Sequence, residues 1–109
     1  LGANDMLRGI NPNETKKNLE EIIKIAKNKN IKVIIAGMIA PTSYGFSYKK
    51  SFDKIFSDLS KKYKLQLIPF LLEGVAQNPK LNLSDGMHPN DQGTIIIGNT
   101  LKKAILKNL

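Results

Sequence analysis

Apolar residues recur at helical spacing in three stretches of the chain and run almost without a break in two others. In "INPNETKKNLEEIIKIAKNKN" (10–30), Leu19, Ile22, Ile23 and Ala26 repeat every three to four residues, which gathers them on one helix face. Asn11 is a capping residue and Pro12 suits the first helical position. Glu14 puts a carboxylate in the first turn, where the helix dipole favours it. "SYKKSFDKIFSDLSKKYK" (47–64) has the same period, with Phe52, Ile55, Phe56, Leu59 and Tyr63 facing inward. "PNDQGTIIIGNTLKKAILKNL" (89–109) predicts the last helix, with Pro89 at its start, Asp91 in its first turn and lysines near its end. "IKVIIAGM" (31–38) is β-branched and nearly continuous in apolar residues, the pattern of a strand buried on both faces of a parallel sheet. "LQLIPF" (65–70) is a shorter strand ended by Pro69. Residues 71–86 form a broken segment, one helical turn and then loop.

The order loop–α–β–α–β–loop–α predicts right-handed crossovers and an α/β class chain, a three-layer α/β/α sandwich around a parallel sheet. Two strands alone would both be edges and would leave the helix layers without a surface to cover. The pattern therefore predicts further strands ahead of Leu1, with residues 1–109 as the C-terminal part of a single domain. No internal repeat, linker or low-complexity segment interrupts it. Ligands in such sheets gather at the carboxyl ends of strands. Residues 1–10, 38–47 and 70–88 are the loops expected there.

Composition alters this picture little. The 41% hydrophobic content suits a globular chain and is too high for disorder. The absence of cysteine excludes disulfides and thiolate zinc sites. No apolar run approaches the ~20 residues that span a bilayer, so stable membrane insertion is not expected. The net charge of +8 and pI of about 9.8 raise the question of nucleic acid. The basic residues are sixteen lysines and one arginine, Arg8, and the lysines are spread over every helix. Phosphate and base readout favours arginine in a focused patch. The scattered lysines read instead as solvated helix faces, with weak attraction to anionic lipid headgroups as a lesser alternative. No nucleic-acid partner is expected, and nothing in the sequence sets an oligomeric state.

Two polar clusters fall on the predicted rim. "LSDGMHPNDQG" (83–93) holds the single histidine. Asp85 and His88, three apart with Gly86 between them, can face each other across a tight turn, and Pro89 holds the backbone behind the ring. A carboxylate on Nδ1–H fixes the tautomer and leaves the other ring nitrogen to act as a general base. The alternatives are Asp85 as a turn cap beside a half-exposed His88, or a metal set of His88, Asp85 and Asp91, which lacks a second imidazole. In "LGAND" (1–5), which reads as the end of an entering strand, Gly2 permits close backbone approach and Asn4 presents an amide NH₂. A neutral donor suits a developing oxyanion; an Asx-turn at a strand end is the competing explanation.

Together, "LGANDMLRG" (1–9) and "DGMHPN" (85–90) resemble the SGNH (GDSL-type) hydrolases, nearest the bacterial thioesterase I, lysophospholipase and arylesterase group. "NPNETKKNL", "PTSYGFSYKKSF" and "LIPFLLEGVA" extend the resemblance over the whole chain. It implies the flavodoxin-like fold of that family with its N-terminal strands missing. G-x-N-D matches Gly2, Ala3, Asn4 and Asp5, with Asn4 as an oxyanion-hole amide. D-x-x-H matches Asp85 and His88, with His88 as base and Asp85 as its partner. The loops Met6–Ile10 and Pro41–Phe46 would border the acyl pocket, making Gly2, Met6, Leu7, Ile10, Pro41 and Tyr44 substrate-binding candidates. No metal or cofactor is implied.

The departure is large. The family's nucleophilic serine, in a G-D-S-x block, and a second oxyanion donor, a glycine, both precede G-x-N-D. Ser43, Ser47, Ser51, Ser57, Ser60 and Ser84 are the serines here; none follows Gly-Asp or sits in G-x-S-x-G. The resemblance thus implies serine-dependent hydrolysis of a small acyl ester or thioester by the complete protein. These 109 residues would be its inactive C-terminal portion, in a periplasmic or secreted setting. The rivals are a non-catalytic acyl- or lipid-binding α/β domain that has lost its nucleophile, a basic nucleic-acid module, and a plain α/β domain.

Overall fold

The capping signal of the first predicted helix is realised as read. In the computed structural model, which describes residues 2–107, Asn11 caps a helix over Pro12–Asn28, its side-chain oxygen accepting the Asn13 N–H at 2.9 Å. This helix is α2, because a five-residue helix, α1 (Ala3–Leu7), precedes it. Residues 1–10 were expected as loop, so α1 is a correction: five residues carry too little period to read. Then follow β1 (Ile34–Ala36), a 3₁₀ turn at Thr42–Tyr44, α3 (Phe46–Tyr63), β2 (Gln66–Ile68) and α4 (Asp91–Leu106). The chain divides into two compact units, Leu1–Pro69 and Phe70–Leu109.

In the first unit β1 and β2 pair in parallel, Ile34 opposite Gln66 and Ala36 opposite Ile68, with α3 as the crossover. The strand expected over 31–38 is shorter than predicted, and of the three residues of β1 only Ile35 is buried. The Gly37 N–H extends the ladder to the Ile68 carbonyl at 2.7 Å. A Cβ at Gly37 would run into the Pro69 carbonyl oxygen, so only glycine lets the two chains stay this close.

The core is built on α3. Phe52, Ile55, Phe56 and Leu59 point inward and meet Met6, Ile23, Ile35 and Ala40. Phe52 and Leu59 are fully buried, which stabilises by about 1.5–3 kcal/mol each. Tyr63 is only partly buried. On α2 the inward stripe is Thr15, Leu19 and Ile23 at strict four-residue spacing. Ile22, expected inward, is 49% exposed, because it lies one step round the helix from that stripe. Lysines sit on the outer faces, where Lys62 and Lys24 share Glu20 and Lys16 meets Asp58. Exposed pairs of this kind contribute little.

The second unit begins with turns, including one helical turn in which Val75 and Ala76 both donate to the Leu72 carbonyl. Its helix α4 is capped by Asn90, whose side-chain oxygen accepts the Gly93 N–H at 3.0 Å. Pro89, expected at the first helical position, lies before the cap and forms an isolated antiparallel bridge with Asn82. Residues 108–109 of the expected last helix, and Leu1, lie outside the described residues.

Candidate active site

The loop before α4 is pinched shut at its base. Leu83 N–H donates to the His88 carbonyl at 2.7 Å, and Asn90 N–H to the Leu81 carbonyl at 2.9 Å. The Asn90 amide reaches the Lys80 carbonyl at 2.8 Å while its oxygen caps α4, so one side chain ties both stems to the helix. The Asn82 amide donates to the carbonyls of Val75 and Asn78, each at 2.8 Å.

Inside this frame Asp85 serves two purposes, joining the turn-cap and ring-partner readings. Its Oδ1 accepts the N–H groups of Met87 at 2.9 Å and His88 at 3.0 Å. Its Oδ2 lies 2.7 Å from His88 Nδ1. Gly86, with φ of +70°, makes the turn that permits both. The backbone N–H groups of Met87 and His88, then the His88 ring, hold the Asp85 carboxyl down at about 2. An ionised carboxylate only accepts hydrogen bonds, so the Nδ1 that faces it carries a proton, and in the neutral imidazole the lone pair is then on Nε2. Asp85 is the only side-chain partner of His88 among the described residues. The side chains are 58% exposed at His88 and 42% at Asp85. Among the described residues no group of three His, Cys, Asp or Glu side chains gathers as a metal set.

Asn4 belongs to the first unit. It is the second residue of α1 rather than part of a strand-end Asx-turn, and it is exposed. Its amide makes no hydrogen bond among the described residues. Gly2, with φ of +94°, is buried; a Cβ there would lie 3.4 Å from Phe56 Cζ. Met6, expected to touch an acyl chain, is 7% exposed and belongs to the core cluster with Phe52 and Phe56. Leu7 and Pro41 are exposed, and Ile10 and Tyr44 partly buried.

Sequence reasoning missed the groups that hold these loops. Asp53 accepts the Ala40 N–H at 2.7 Å, and Lys49 donates to the Ala40 carbonyl at 2.8 Å and to Asp53 at 2.7 Å. Both backbone groups of Ala40 are thus clipped to α3, one residue before Pro41. The i,i+4 spacing of Lys49 and Asp53 was visible in the sequence, but their partner was not.

Residues 1–94 match the model of the GDSL-like lipase/acylhydrolase family. The chain is 32% identical over 105 residues to "Thioesterase 1/protease 1/lysophospholipase L1" of Escherichia coli (strain K12), covering 96% of this chain and 50% of that one. It spans about half the length of the curated relatives it matches. Among solved structures it is similar to TesA (29% identity, TM-score 0.92, 100% of this chain and 61% of that one). It is also similar to AlinE4, an SGNH-hydrolase family esterase (38% identity, TM-score 0.75, 100% and 58%). The α/β order, the parallel strand pair and these matches agree with the fold expected from the sequence, and the chain belongs to the GDSL-like lipase/acylhydrolase family, the SGNH hydrolases.

Proposed function

We propose that this chain supplies the general base, its carboxylate partner and one oxyanion donor for serine-dependent hydrolysis of acyl esters or thioesters. The nucleophilic hydroxyl and a second oxyanion donor come from outside these 109 residues. The observation that carries this is the 2.7 Å approach of Asp85 Oδ2 to His88 Nδ1, beside a carboxyl held down at about 2, which supports Nδ1–H as the bound donor and Nε2 as the base.

In the first step His88 Nε2 takes the proton of the attacking hydroxyl as its oxygen adds to the acyl carbon. The imidazolium is stabilised by Asp85, which stays ionised. The carbonyl oxygen becomes an oxyanion, and the Asn4 amide donates to it. One such donor is worth about 3–4 kcal/mol in the transition state. His88 then protonates the departing alkoxide or thiolate. Water repeats the sequence on the acyl-serine, releasing the acid and restoring the hydroxyl. Every proton that moves passes through Nε2, so no metal or cofactor is needed. Relatives named for thioesterase, lysophospholipase and esterase activity support this substrate class.

The test uses p-nitrophenyl esters of graded acyl length and the product of the complete reading frame. His88→Ala should abolish hydrolysis, and Asn4→Ala should lower kcat by about 10²–10³ with KM little changed. The 109-residue chain alone should hydrolyse nothing. Hydrolysis by that chain that disappears with His88→Ala would place the nucleophile inside it and overturn the proposal. A complete product that binds acyl esters without turning them over would favour the lipid-binding alternative.

A further inference from the structure

Thr15 is the one buried polar residue of the described core, with 0% exposure, yet it sits on the apolar stripe of α2. A buried threonine on a helix commonly bonds its hydroxyl to the carbonyl four residues back. Here the hydroxyl reaches ten residues away and donates to Asp5 Oδ2 at 2.9 Å. A hydroxyl buried without such a partner would be costly, and valine would fill the same space. Asp5 adjoins Asn4, and its own carbonyl accepts the Ile10 N–H at 3.0 Å. The Ile10 carbonyl in turn accepts the Tyr48 hydroxyl at 2.8 Å. Tyr48 is held between Tyr44 and Phe52, with ring centroids 5.6 Å and 6.1 Å away. Burial, and then the nearby Tyr44 and Asp5, push its phenol upward, so it remains a donor at neutral pH.

The segment that carries Asn4 is therefore gripped at both ends. Met6 in the core and Gly2 against Phe56 fix its inner side. Asn4 itself is exposed and its amide has no partner among the described residues. An oxyanion donor must be aimed before charge develops, and its neighbours have to do the aiming.

We propose that Thr15 and Tyr48 are positioning residues for Asn4, their two hydroxyls fixing α1 and the turn behind it through Asp5 and the Ile10 carbonyl. This rests on the oxyanion role proposed for Asn4. Neither hydroxyl touches the reacting atoms, so the expected signature is a loss in kcat at nearly constant KM.

The experiment measures ester hydrolysis by the product of the complete reading frame. Thr15→Val, Thr15→Ser and Tyr48→Phe are made alone and with Asn4→Ala, and circular dichroism verifies folding. Thr15→Val should lower kcat about tenfold with KM within about twofold, and Tyr48→Phe about threefold. Thr15→Ser, which keeps the hydroxyl, should recover most of the loss. With Asn4→Ala present, neither change should lower kcat further, because the group being aimed is gone. Equal losses in both backgrounds would mean a general structural effect and overturn the proposal, as would unchanged kcat in Thr15→Val and Tyr48→Phe. Should Thr15→Val fail to fold, Tyr48→Phe decides by the same comparison. If Asn4→Ala alone leaves kcat unchanged, the oxyanion assignment fails and this proposal with it. If Asn4→Ala is impaired and the hydroxyl variants are not, only the positioning role falls.

Discussion

Two glycines in α4 should respond in opposite directions to the same added methyl group. Gly93 lies in the first turn and is buried; a Cβ there would overlap the Leu81 carbonyl oxygen and stand 3.1 Å from both Pro89 Cβ and Val75 Cγ1. Gly98 is exposed on the same helix, with nothing within 4 Å of its would-be Cβ. Carbon and carbonyl oxygen come to rest at about 3.3–3.6 Å, so Leu81 would have to retreat by about 1 Å in Gly93→Ala. Leu81 is also the acceptor for Asn90 N–H, the bond that closes the base of the Asp85–His88 loop. Overpacking costs about 1–3 kcal/mol. The strained backbone bond adds about 1 kcal/mol. Alanine's helix preference returns about 1 kcal/mol. Gly93→Ala should thus destabilise by about 1–3 kcal/mol, whereas Gly98→Ala should stabilise by up to about 1 kcal/mol.

Urea unfolding followed by circular dichroism measures both. Turnover of a p-nitrophenyl ester by the product of the complete reading frame measures the second consequence. A displacement near 1 Å in a catalytic group can lower the rate on the order of a hundredfold, so Gly93→Ala should lose activity even where it remains folded. Gly98→Ala should keep full activity. Equal stability changes at the two positions, or a Gly93→Ala variant with unchanged turnover, would refute the view that contact with Gly93 holds the loop.

Two further outcomes concern Asp85. Its folded value is depressed from 3.8 to about 2, so the stabilisation it brings is complete above about pH 4 and disappears as pH falls through about 2. Carboxyl-carbon NMR should therefore show a titration midpoint near 2, and one near 4 would mean that the Met87 and His88 N–H bonds do not form in solution. Asp85→Asn should leave Oδ1 to accept those two N–H groups but present an NH₂ to the ring, forcing the proton from Nδ1 to Nε2. On the Ser-His-Asp template that exchange lowers kcat about 10⁴-fold; near-normal turnover, or a ¹⁵N spectrum with the proton still on Nδ1, would sink the tautomer argument.

The Asp85–His88 pair was legible in the sequence because the bonds to its carboxylate are local. They join residues two or three apart, and Gly86 announces the turn; the Leu81–Asn90 bond that closes the loop's base spans nine residues and was not legible. The start of α2 was legible for the same reason, since Asn11, Pro12 and Glu14 form a local cap. What surrounds Asn4 was not. Its segment is held by Thr15, ten residues from Asp5, and by Tyr48, 38 residues from Ile10. Periodicity put Ile22 on the inward face and did not pick out Thr15, because a hydroxyl reads as polar until its distant acceptor is known. Pro89 was read as the helix start because proline favours that position, but Asn90 caps more strongly with an oxygen aimed at Gly93 N–H.

The two candidate groups are prepared for chemistry in different ways. The His88 ring takes its orientation from a carboxylate in its own turn, three residues earlier in the chain. Its surroundings are still wet, with more than half of the side chain exposed, and in water a charge pair at this distance is heavily screened. Orientation is therefore built in, while under the proposed reaction the strength of the Asp85–imidazolium interaction would depend on water leaving as substrate arrives. Asn4 shows the converse arrangement. Its amide takes no orientation from a side-chain bond of its own and owes it to a backbone anchored in a dry core by Met6, Thr15 and Phe56. On the roles proposed for Asn4 and His88, core substitutions beneath α1 should thus reach the reaction through the oxyanion, and substitutions around Gly93 through the base.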